Sequence, residues 1–320
     1  IILPVVSLLS MTVGTVSISF SDLFAADSRQ TETILFDIRL PRILLAICVG
    51  AVLSSTGAVM QGLFRNPLAD PSLIGVSSGA SVGASLMIVA AGGFIQSGAL
   101  LGLSLVAVGA FVGGFVATLL VYRLATSGIG TSVTTMLLAG IAIAAIAGAL
   151  NSLLSYFSDN DMLRQISLWQ MGNLSGASWT KVTIMASVAL LLMSLFPRDS
   201  RALNALLLGE SEARHLGVDV QAVKRRLIIL TALGVGVCVA LAGLVGFVGL
   251  IIPHIVRLAI GPDHRWLIPA SALAGATLLV FADSLARIVV IPAELPTGIL
   301  TALLGAPFFV VLLLQQRKQV

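Results

Sequence analysis

The chain has 320 residues, of which 58% are hydrophobic and 10% are charged. That composition is typical of a polytopic helical membrane protein and excludes an ordinary soluble domain. The net charge of +4 is spread over loops rather than gathered in a basic domain, so nucleic-acid binding is not expected. The first residue is Ile1 rather than Met, and we expect the natural N-terminus to be missing.

Apolar segments recur along the whole sequence, and a spanning helix needs about 20 apolar residues. We therefore predict an all-α polytopic membrane protein with ten transmembrane helices in one domain, residues 1–320. The predicted spans are residues 1–20, 43–64, 72–91, 99–122, 133–156, 178–196, 225–243, 247–260, 267–290 and 297–314. Twelve of the 18 Lys and Arg residues fall on the side of both termini, which predicts that the termini are cytoplasmic.

Charged residues mark the outer ends of two spans. The first external loop closes with Arg39 and Arg42 just before the second span. Such arginines commonly anchor a helix at the interface, and they can also contact an acidic partner. The ninth span carries Asp283 and Arg287, four residues apart on one helix face, so we expect these two charges to pair.

A proline-bracketed polar turn separates the second and third spans, and Asn66 and Asp70 are the expected partners of its free amides. The third span then opens with GVSSG, residues 75–79, which matches the G-x-S-x-G motif of hydrolases. That motif needs a strand before it, so we interpret it as small-residue helix packing. An intramembrane serine protease with His254 as base is a less favoured alternative.

Polar side chains flank and enter the fifth span. It follows a loop rich in Ser, Thr and Gly, Ser127 to Thr135, and it carries Asn151 and Ser155 near its outer end. Polar residues within a span face either a helix bundle or a water-filled path, and both interpretations remain open. The external segment from Asp159 to Gln170 predicts a short helix at the membrane interface.

The stretch 197–226 is the most polar in the chain, since ten of its 30 residues are charged. We expect a helix with Ser200 as N-cap that ends at Gly209, and a second from Glu210 to Leu216 that ends before Gly217. Several leucines of this stretch have no local core, which favours a surface for docking on another protein over a solvated linker. These leucines are Leu203, Leu206, Leu207 and Leu208.

Two missing patterns bear on the energy source. The sequence has no G-x-x-x-x-G-K-[ST] motif, so ATP binding by a P-loop is not expected. Asp283 is the sole acidic residue within a predicted span, whereas an ion-coupled secondary transporter usually shows more. We therefore expect the energy to arrive from a separate protein at residues 197–226, with ion-coupled transport as an alternative. We predict neither a metal site nor a bound cofactor.

Several stretches together resemble one family, the permease subunits of bacterial type II ABC importers for iron-siderophores, haem and cobalamin. They begin with RLPR at 39–42, the segment 50–81 and WQMG at 169–172. They continue with LLGESEARHLGV at 207–218, GLVGFVGLIIPHIVRLAIGPDHR at 243–265 and ELPTGILTALLGAPFF at 294–309. The resemblance covers nearly the whole chain.

The resemblance implies a BtuC-like fold of ten helices and a homodimer in the bacterial inner membrane. It also implies two separate ATPase subunits, which bind the ATP and Mg²⁺, and a periplasmic substrate-binding protein. The chain would then be a permease and not an enzyme. Haem is the first expected substrate because WQMGNLSGASW looks closest to the haem and cobalamin branches; a ferric siderophore or cobalamin is the alternative.

Three groups of residues receive roles by this resemblance. The ATPase-coupling residues are Leu206, Leu207, Leu208, Gly209, Glu210, Ala213, Arg214, Leu216 and Gly217. The residues that contact acidic groups of the binding protein are Arg39, Arg42 and Arg287. The residues of the gate and the path are Thr131, Ser132, Thr134, Thr135, Asn151 and Ser155.

Overall fold

The computed structural model describes residues 2–14, 29–90, 99–100, 103–128 and 130–317 of the chain. Its α-helices in the first half are α1 (Ile2–Thr12), α2 (Arg29–Thr33), α3 (Leu40–Phe64), α4 (Val76–Ala90), α5 (Leu105–Ala125), α6 (Val133–Tyr156) and α7 (Asn160–Gln170). Those of the second half are α8 (Trp179–Leu195), α9 (Ser200–Leu208), α10 (Glu210–His215), α11 (Val220–Ala242), α12 (Val248–Ile260), α13 (His264–Ala286) and α14 (Thr297–Arg317).

Short irregular elements complete the described part. A π-helical stretch, Ile34–Arg39, joins α2 to α3, and two 3₁₀ turns cover Pro71–Ile74 and Phe196–Asp199. Strands β1 (Ala99–Leu100) and β2 (Leu103–Ser104) pair antiparallel, as do β3 (Thr126–Ser127) and β4 (Gly130–Thr131). These two-residue ribbons do not form a core, so the all-α prediction is confirmed.

The described helices overlap all ten predicted spans, although the number of membrane crossings stays a prediction. By length and hydropathy, six described helices can cross a membrane, and four shorter apolar helices accompany them. The predicted span 99–122 starts too early, because Ser104 caps α5 with a hydrogen bond from the amide of Ala107. The predicted span 72–91 is interrupted at Gly75, where φ is 82°. Residues 1, 15–20, 91, 101 and 102 of the predicted spans lie outside the described residues.

Helix α3 is the centre of the bundle, and it packs against α8, α11, α12 and α13. Its glycines allow this close approach. A Cβ at Gly50 would lie 2.4 Å from the carbonyl oxygen of Gly275, and one at Gly57 would lie 1.8 Å from that of Gly249. Small residues are the general means by which membrane helices bring their backbones together.

Glycines also allow α4 and α5 to pack closely, and one of them belongs to the G-x-S-x-G motif. A Cβ at Gly79, the last residue of the motif, would lie 2.3 Å from the carbonyl oxygen of Gly113. Gly83 and Gly109 meet one turn away. The prediction that this motif serves helix packing is confirmed.

The polar turn after α3 is built as the sequence predicts. The side chain of Asn66 accepts a hydrogen bond from the amide of Leu68 at 2.9 Å, and that of Asp70 accepts one from the amide of Ser72 at 2.8 Å. These two side chains satisfy amides that the broken helix leaves free. The turn reverses the chain into α4.

The antiparallel helices α3 and α13 define two ends of the molecule. At one end lie α9, next to the start of α13, and α10 with the β3–β4 ribbon, next to the start of α11; we call this the loop end. At the other end lie Arg39, Arg42, Asp283, Arg287 and Glu294; we call this the arginine end. The two ends contain most of the residues for which the sequence predicts a role.

Candidate functional site

Two short helices form the loop end. Asp199 takes the N-cap position of α9, so the prediction that Ser200 is the cap is wrong; the Ser200 hydroxyl donates to the carbonyl oxygen of Pro197 at 2.7 Å. Helix α9 ends at Gly209 as predicted, with a φ of 131° that disfavours other residues. Helix α10 follows at once and ends before Gly217, where φ is 83°.

The loop end presents an apolar patch to solvent. Leu207 is 39% exposed, Leu208 is 67% exposed and Leu216 is 64% exposed. The side chain of Arg214 on α10 is also exposed. Large apolar side chains exposed next to charged ones are typical of a protein docking surface.

Other apolar residues of the same loop face the bundle. Leu203, Leu206 and Ala213 are buried in the main hydrophobic core. The expectation that no local core takes Leu203 and Leu206 is wrong, because α9 packs across α3 and α13. Leu206 and Ala213 therefore pack the loop against the bundle, and their role in ATPase coupling stays a prediction.

Asn204 ties α9 to the first turn of α13. Its Nδ2 donates to the Asp263 carboxylate at 2.6 Å, and its Oδ1 accepts from the backbone amide of His264 at 2.9 Å. The same Oδ1 lies 2.8 Å from Nδ1 of His264, whose side chain is fully buried. Hydrogen bonds from the Arg265 amide and from Asn204 hold the pKa of the Asp263 carboxyl below its usual value.

The β3–β4 ribbon is tied to the first turn of α11. The backbone amide of Thr131 donates to Oε1 of Gln221 at 2.9 Å, and its carbonyl oxygen accepts from Nζ of Lys224 at 2.9 Å. Lys224 also pairs with Oε1 of Glu210 at 2.6 Å. The predicted gate residue Thr131 and the predicted coupling residue Glu210 thus share one lysine.

The other residues predicted for the gate and the path lie at opposite ends of α6. Ser132 caps the helix by accepting a hydrogen bond from the amide of Thr135 at 3.3 Å, and Thr134 is exposed beside it in the chain. At the far end, Asn151 donates to a serine of α4 at 3.1 Å, and Ser155 is half-buried. Much of the remaining surface of α6 is exposed and apolar.

Four charged side chains meet at the arginine end. Arg42 donates from Nε to the Asp283 carboxylate at 2.9 Å, and from Nη1 to Oε2 of Glu294 at 2.7 Å. Nε of Arg287 lies 3.4 Å from the same Asp283 carboxylate, so the predicted pair is present but is the looser of the two. Thr297 adds a hydrogen bond to Asp283 at 3.1 Å.

The arginines also close the C-terminal end of α1. Arg287 donates to the carbonyl oxygens of Val13 at 2.9 Å and Ser10 at 3.1 Å, and Arg39 donates to that of Met11. The last carbonyl groups of a helix have no partner within it and carry partial negative charge. A guanidinium group donates hydrogen bonds to these carbonyl groups, and its positive charge offsets their partial negative charge.

The predicted docking arginines are therefore buried. Arg39 is 5% exposed, Arg42 is 4% exposed and Arg287 is 3% exposed. The side chain of Glu294 is 33% exposed, which makes it the member of the cluster that solvent reaches. Docking through Arg42 stays a prediction, and it requires a partner carboxylate to take the place of Glu294.

A cavity of about 390 Å³ lies between the polar turn and the non-helical segment 243–247. Its lining is mainly apolar and includes Leu53, Pro71, Val239, Leu244, Phe247 and Phe309. The sequence reasoning did not predict this cavity. Among the described residues, no group of three His, Cys, Asp or Glu side chains could hold a metal ion.

Three residues at these sites were missed by the sequence reasoning. Asn204 and Lys224 lie within the predicted docking loop, and Glu294 lies in a stretch quoted for the resemblance. Lys224 lies near the start of a long apolar helix, and a charged residue at such a position predicts a specific polar partner. Asn204 offers no comparable local signal.

The model of the FecCD transport family matches residues 2–315 of the chain. The hemin transport system permease protein HmuU of Yersinia pestis is 46% identical over 320 residues, which cover 100% of this chain and 95% of that protein. The cobalamin import system permease protein BtuC of Halobacterium salinarum is 45% identical over 88% of this chain and 73% of that protein. The vitamin B12 import system permease protein BtuC of Escherichia coli O9:H4 is 43% identical over 97% and 92%, respectively.

Solved structures share the architecture. One chain from an inward-facing conformation of a metal-chelate type ABC transporter superposes with a TM-score of 0.87 at 36% sequence identity, and the match covers 98% of this chain and 96% of that chain. A chain of PsaBC from Streptococcus pneumoniae, solved in complex with Fab, has a TM-score of 0.58 at 20% identity over 88% of this chain and 92% of that chain. The second likeness concerns the fold alone.

Proposed function

The chain belongs to the FecCD transport family, and from this premise we propose that it is the permease subunit of an ATP-driven importer that moves haem from the periplasm to the cytoplasm. The observation that carries the proposal is the identity of 46% to a hemin permease over the full length of this chain. Cobalamin permeases are nearly as similar, at 45% and 43%. A ferric siderophore or cobalamin is therefore the alternative substrate.

The loop end supports docking on a separate ATPase. Leu207, Leu208 and Leu216 expose apolar surface that a partner cleft can bury, and Arg214 adds a charge to that surface. In the proposed assembly two copies of the chain form the path, and each copy binds one ATPase subunit. The ATPases hold ATP and Mg²⁺, and the permease itself binds no cofactor.

The proposed transport cycle follows from rigid-body movement of helices. ATP binding closes the two ATPases, which displaces the loop end of each permease copy. The residues 131–135 then act as the cytoplasmic gate, and α6 with Asn151 and Ser155 lines the path together with α14. A lining with few strong polar contacts lets a bulky chelate pass without binding it tightly.

The arginine end is the proposed docking face for the periplasmic binding protein. In this arrangement the loop end and both termini are cytoplasmic, in the inner membrane. Arg42 is held there between Asp283 and Glu294. An acidic group of the binding protein would displace Glu294 and restore the same charge balance around Arg42.

The proposal is tested by uptake into lipid vesicles. The permease is reconstituted with its ATPase and binding protein, and uptake of haem, cobalamin and a ferric siderophore is measured with and without ATP. We expect uptake of haem that requires ATP. ATP-dependent uptake of another chelate, without uptake of haem, would identify that chelate as the substrate. Uptake by the permease without an ATPase, driven by an ion gradient, would show that the chain is an ion-coupled secondary transporter.

A further inference from the structure

Lys224 is a buried cation at the loop end. Its side chain is 2% exposed, although the neighbouring Arg225 and Arg226 on α11 are exposed. Removing a lysine from water is costly unless partners replace its hydration. Lys224 obtains two such partners, Glu210 Oε1 at 2.6 Å and the carbonyl oxygen of Thr131 at 2.9 Å.

These partners belong to two otherwise separate parts of the chain. Glu210 is the first residue of α10, and the exposed Leu216 follows directly after the last residue of that helix. Thr131 is the last residue of β4, in the ribbon that precedes α6. The ribbon has a second attachment to the same turn of α11, because Gln221 accepts a hydrogen bond from the Thr131 amide at 2.9 Å.

Stability alone is a poor explanation for this arrangement. A buried ion pair contributes little net stability compared with apolar groups of similar size. What an ion pair with two further hydrogen bonds provides is fixed geometry between the groups. Both the amide and the carbonyl of Thr131 are bound, so the ribbon cannot shift relative to α11 without breaking a contact.

We propose that Lys224 is a positioning residue that makes α10 and the β3–β4 ribbon move as one body. The proposal rests on the proposed function, in which α10 follows the ATPase and the ribbon carries the gate. Displacement of α10 pulls on Glu210, Lys224 transmits the displacement to Thr131, and the ribbon changes the position of the start of α6. Without this link, the ATPase can move α10 while the gate stays in place.

The first test compares Lys224→Met with Arg225→Met in the complete reconstituted transporter. Both changes remove one positive charge from adjacent positions of α11, but Arg225 is exposed. For Lys224→Met we expect ATP hydrolysis close to that of the wild type and substrate uptake reduced about tenfold, the scale of a typical coupling between two sites. Arg225→Met should leave both rates close to the wild type.

A second measurement follows the gate directly. Gly128 lies at the tip of the ribbon, and a Cβ at this position would meet no atom within 4 Å, so Gly128→Cys can carry a spin label. The distance between the labels of the two permease copies should change when ATP binds. In the Lys224→Met background that change should be lost, whereas in the Arg225→Met background it should persist.

Glu210→Gln serves as a further variant that keeps the size of the side chain. If Glu210 and Lys224 act through one contact, the double variant should lower uptake no more than Lys224→Met does alone. An ATP-dependent change in label distance that survives Lys224→Met overturns the proposal, as does loss of the ATPase from the purified complex. Absence of ATP-driven uptake in the wild type would instead refute the proposed function.

Discussion

The two ends of this molecule are held together by different kinds of contact. At the arginine end, Asp283 lies between Arg42 and Arg287, all of them nearly fully buried. At the loop end, α9 and α10 are attached to the bundle through Asn204 and through the pair of Lys224 with Glu210. The first end joins long helices to each other, while the second attaches short helices to long ones through a few polar contacts and the buried side chains of Leu203, Leu206 and Ala213.

This difference has a physical consequence for movement. A compact cluster of buried charges resists any separation of its members, because each unpaired charge would remain out of water. A link made of two or three directional hydrogen bonds costs less to break, and while it is intact it transmits the displacement of the short helix to its partner. The arginine end therefore keeps the long helices in fixed relative positions, and the loop end passes the movement of the short helices on to the bundle.

Asp283→Asn should have the largest effect, because among the described residues it leaves the buried Arg42 paired with Glu294 alone and takes the carboxylate partner from the buried Arg287. We expect the free energy of unfolding to fall by about 3–5 kcal/mol, as when one partner of a buried ion pair is removed. Thermal unfolding in detergent measures the loss. Asp161→Asn, at an exposed position of α7, is the matched control. Equal melting temperatures for the two variants would show that the charge cluster of the arginine end does not stabilise the helix bundle.

Asn204→Ala should show whether the contact between α9 and α13 serves only the stability of the protein or also the coupling of ATP hydrolysis to uptake. It removes the side-chain hydrogen bonds to Asp263 and His264, so we expect a loss of about 1 kcal/mol in unfolding free energy. ATP-driven uptake should fall by a larger factor than the stability change explains, since α9 loses its attachment to α13. Uptake and ATP hydrolysis are measured side by side.

The control for this variant is Gln165→Ala, at an exposed position of α7, which should change neither rate. If Asn204→Ala lowers stability but leaves the ratio of uptake to hydrolysis unchanged, Asn204 is a structural contact only. The loop end would then transmit movement through its other contacts.

Glu294→Gln should have the smallest effect. Its carboxylate is partly exposed, and Arg42 keeps its contacts with Asp283, so we expect the free energy of unfolding to fall by about 1 kcal/mol. If a carboxylate of the binding protein replaces Glu294 at Arg42, the variant should bind that protein a few-fold more tightly at low salt, with less difference at high salt. Binding affinity is measured against Glu32→Gln, an exposed glutamate of α2. Weaker binding of Glu294→Gln would show that Glu294 itself contacts the partner.

Local sequence patterns predicted local structure well. The glycines that end α9 and α10, the two capping side chains of the polar turn, and the helix after Asp159 all follow from rules that span a few residues. The glycine packing between α4 and α5 was also predictable, because small residues at fixed spacing indicate a close helix contact.

Contacts between distant residues escaped prediction for a physical reason. The four-residue spacing of Asp283 and Arg287 predicted their pair, whereas the closer partner, Arg42, is 241 residues away in the chain. Lys224 and Thr131 are 93 residues apart. Such pairs depend on how whole helices pack, and the sequence of one helix does not indicate which other helix will lie next to it. The burial of Leu203 and Leu206 was missed for the same reason.

The two arginines that bind the C-terminal end of α1, Arg39 and Arg287, also set an order of assembly during synthesis. A chain emerges from the ribosome from its N-terminus, so α1 is made long before residue 287. Arg39 can occupy the carbonyl group of Met11 early, but those of Ser10 and Val13 wait for Arg287. Helix α1 thus gains its contacts with Arg287 only after α13 has been made.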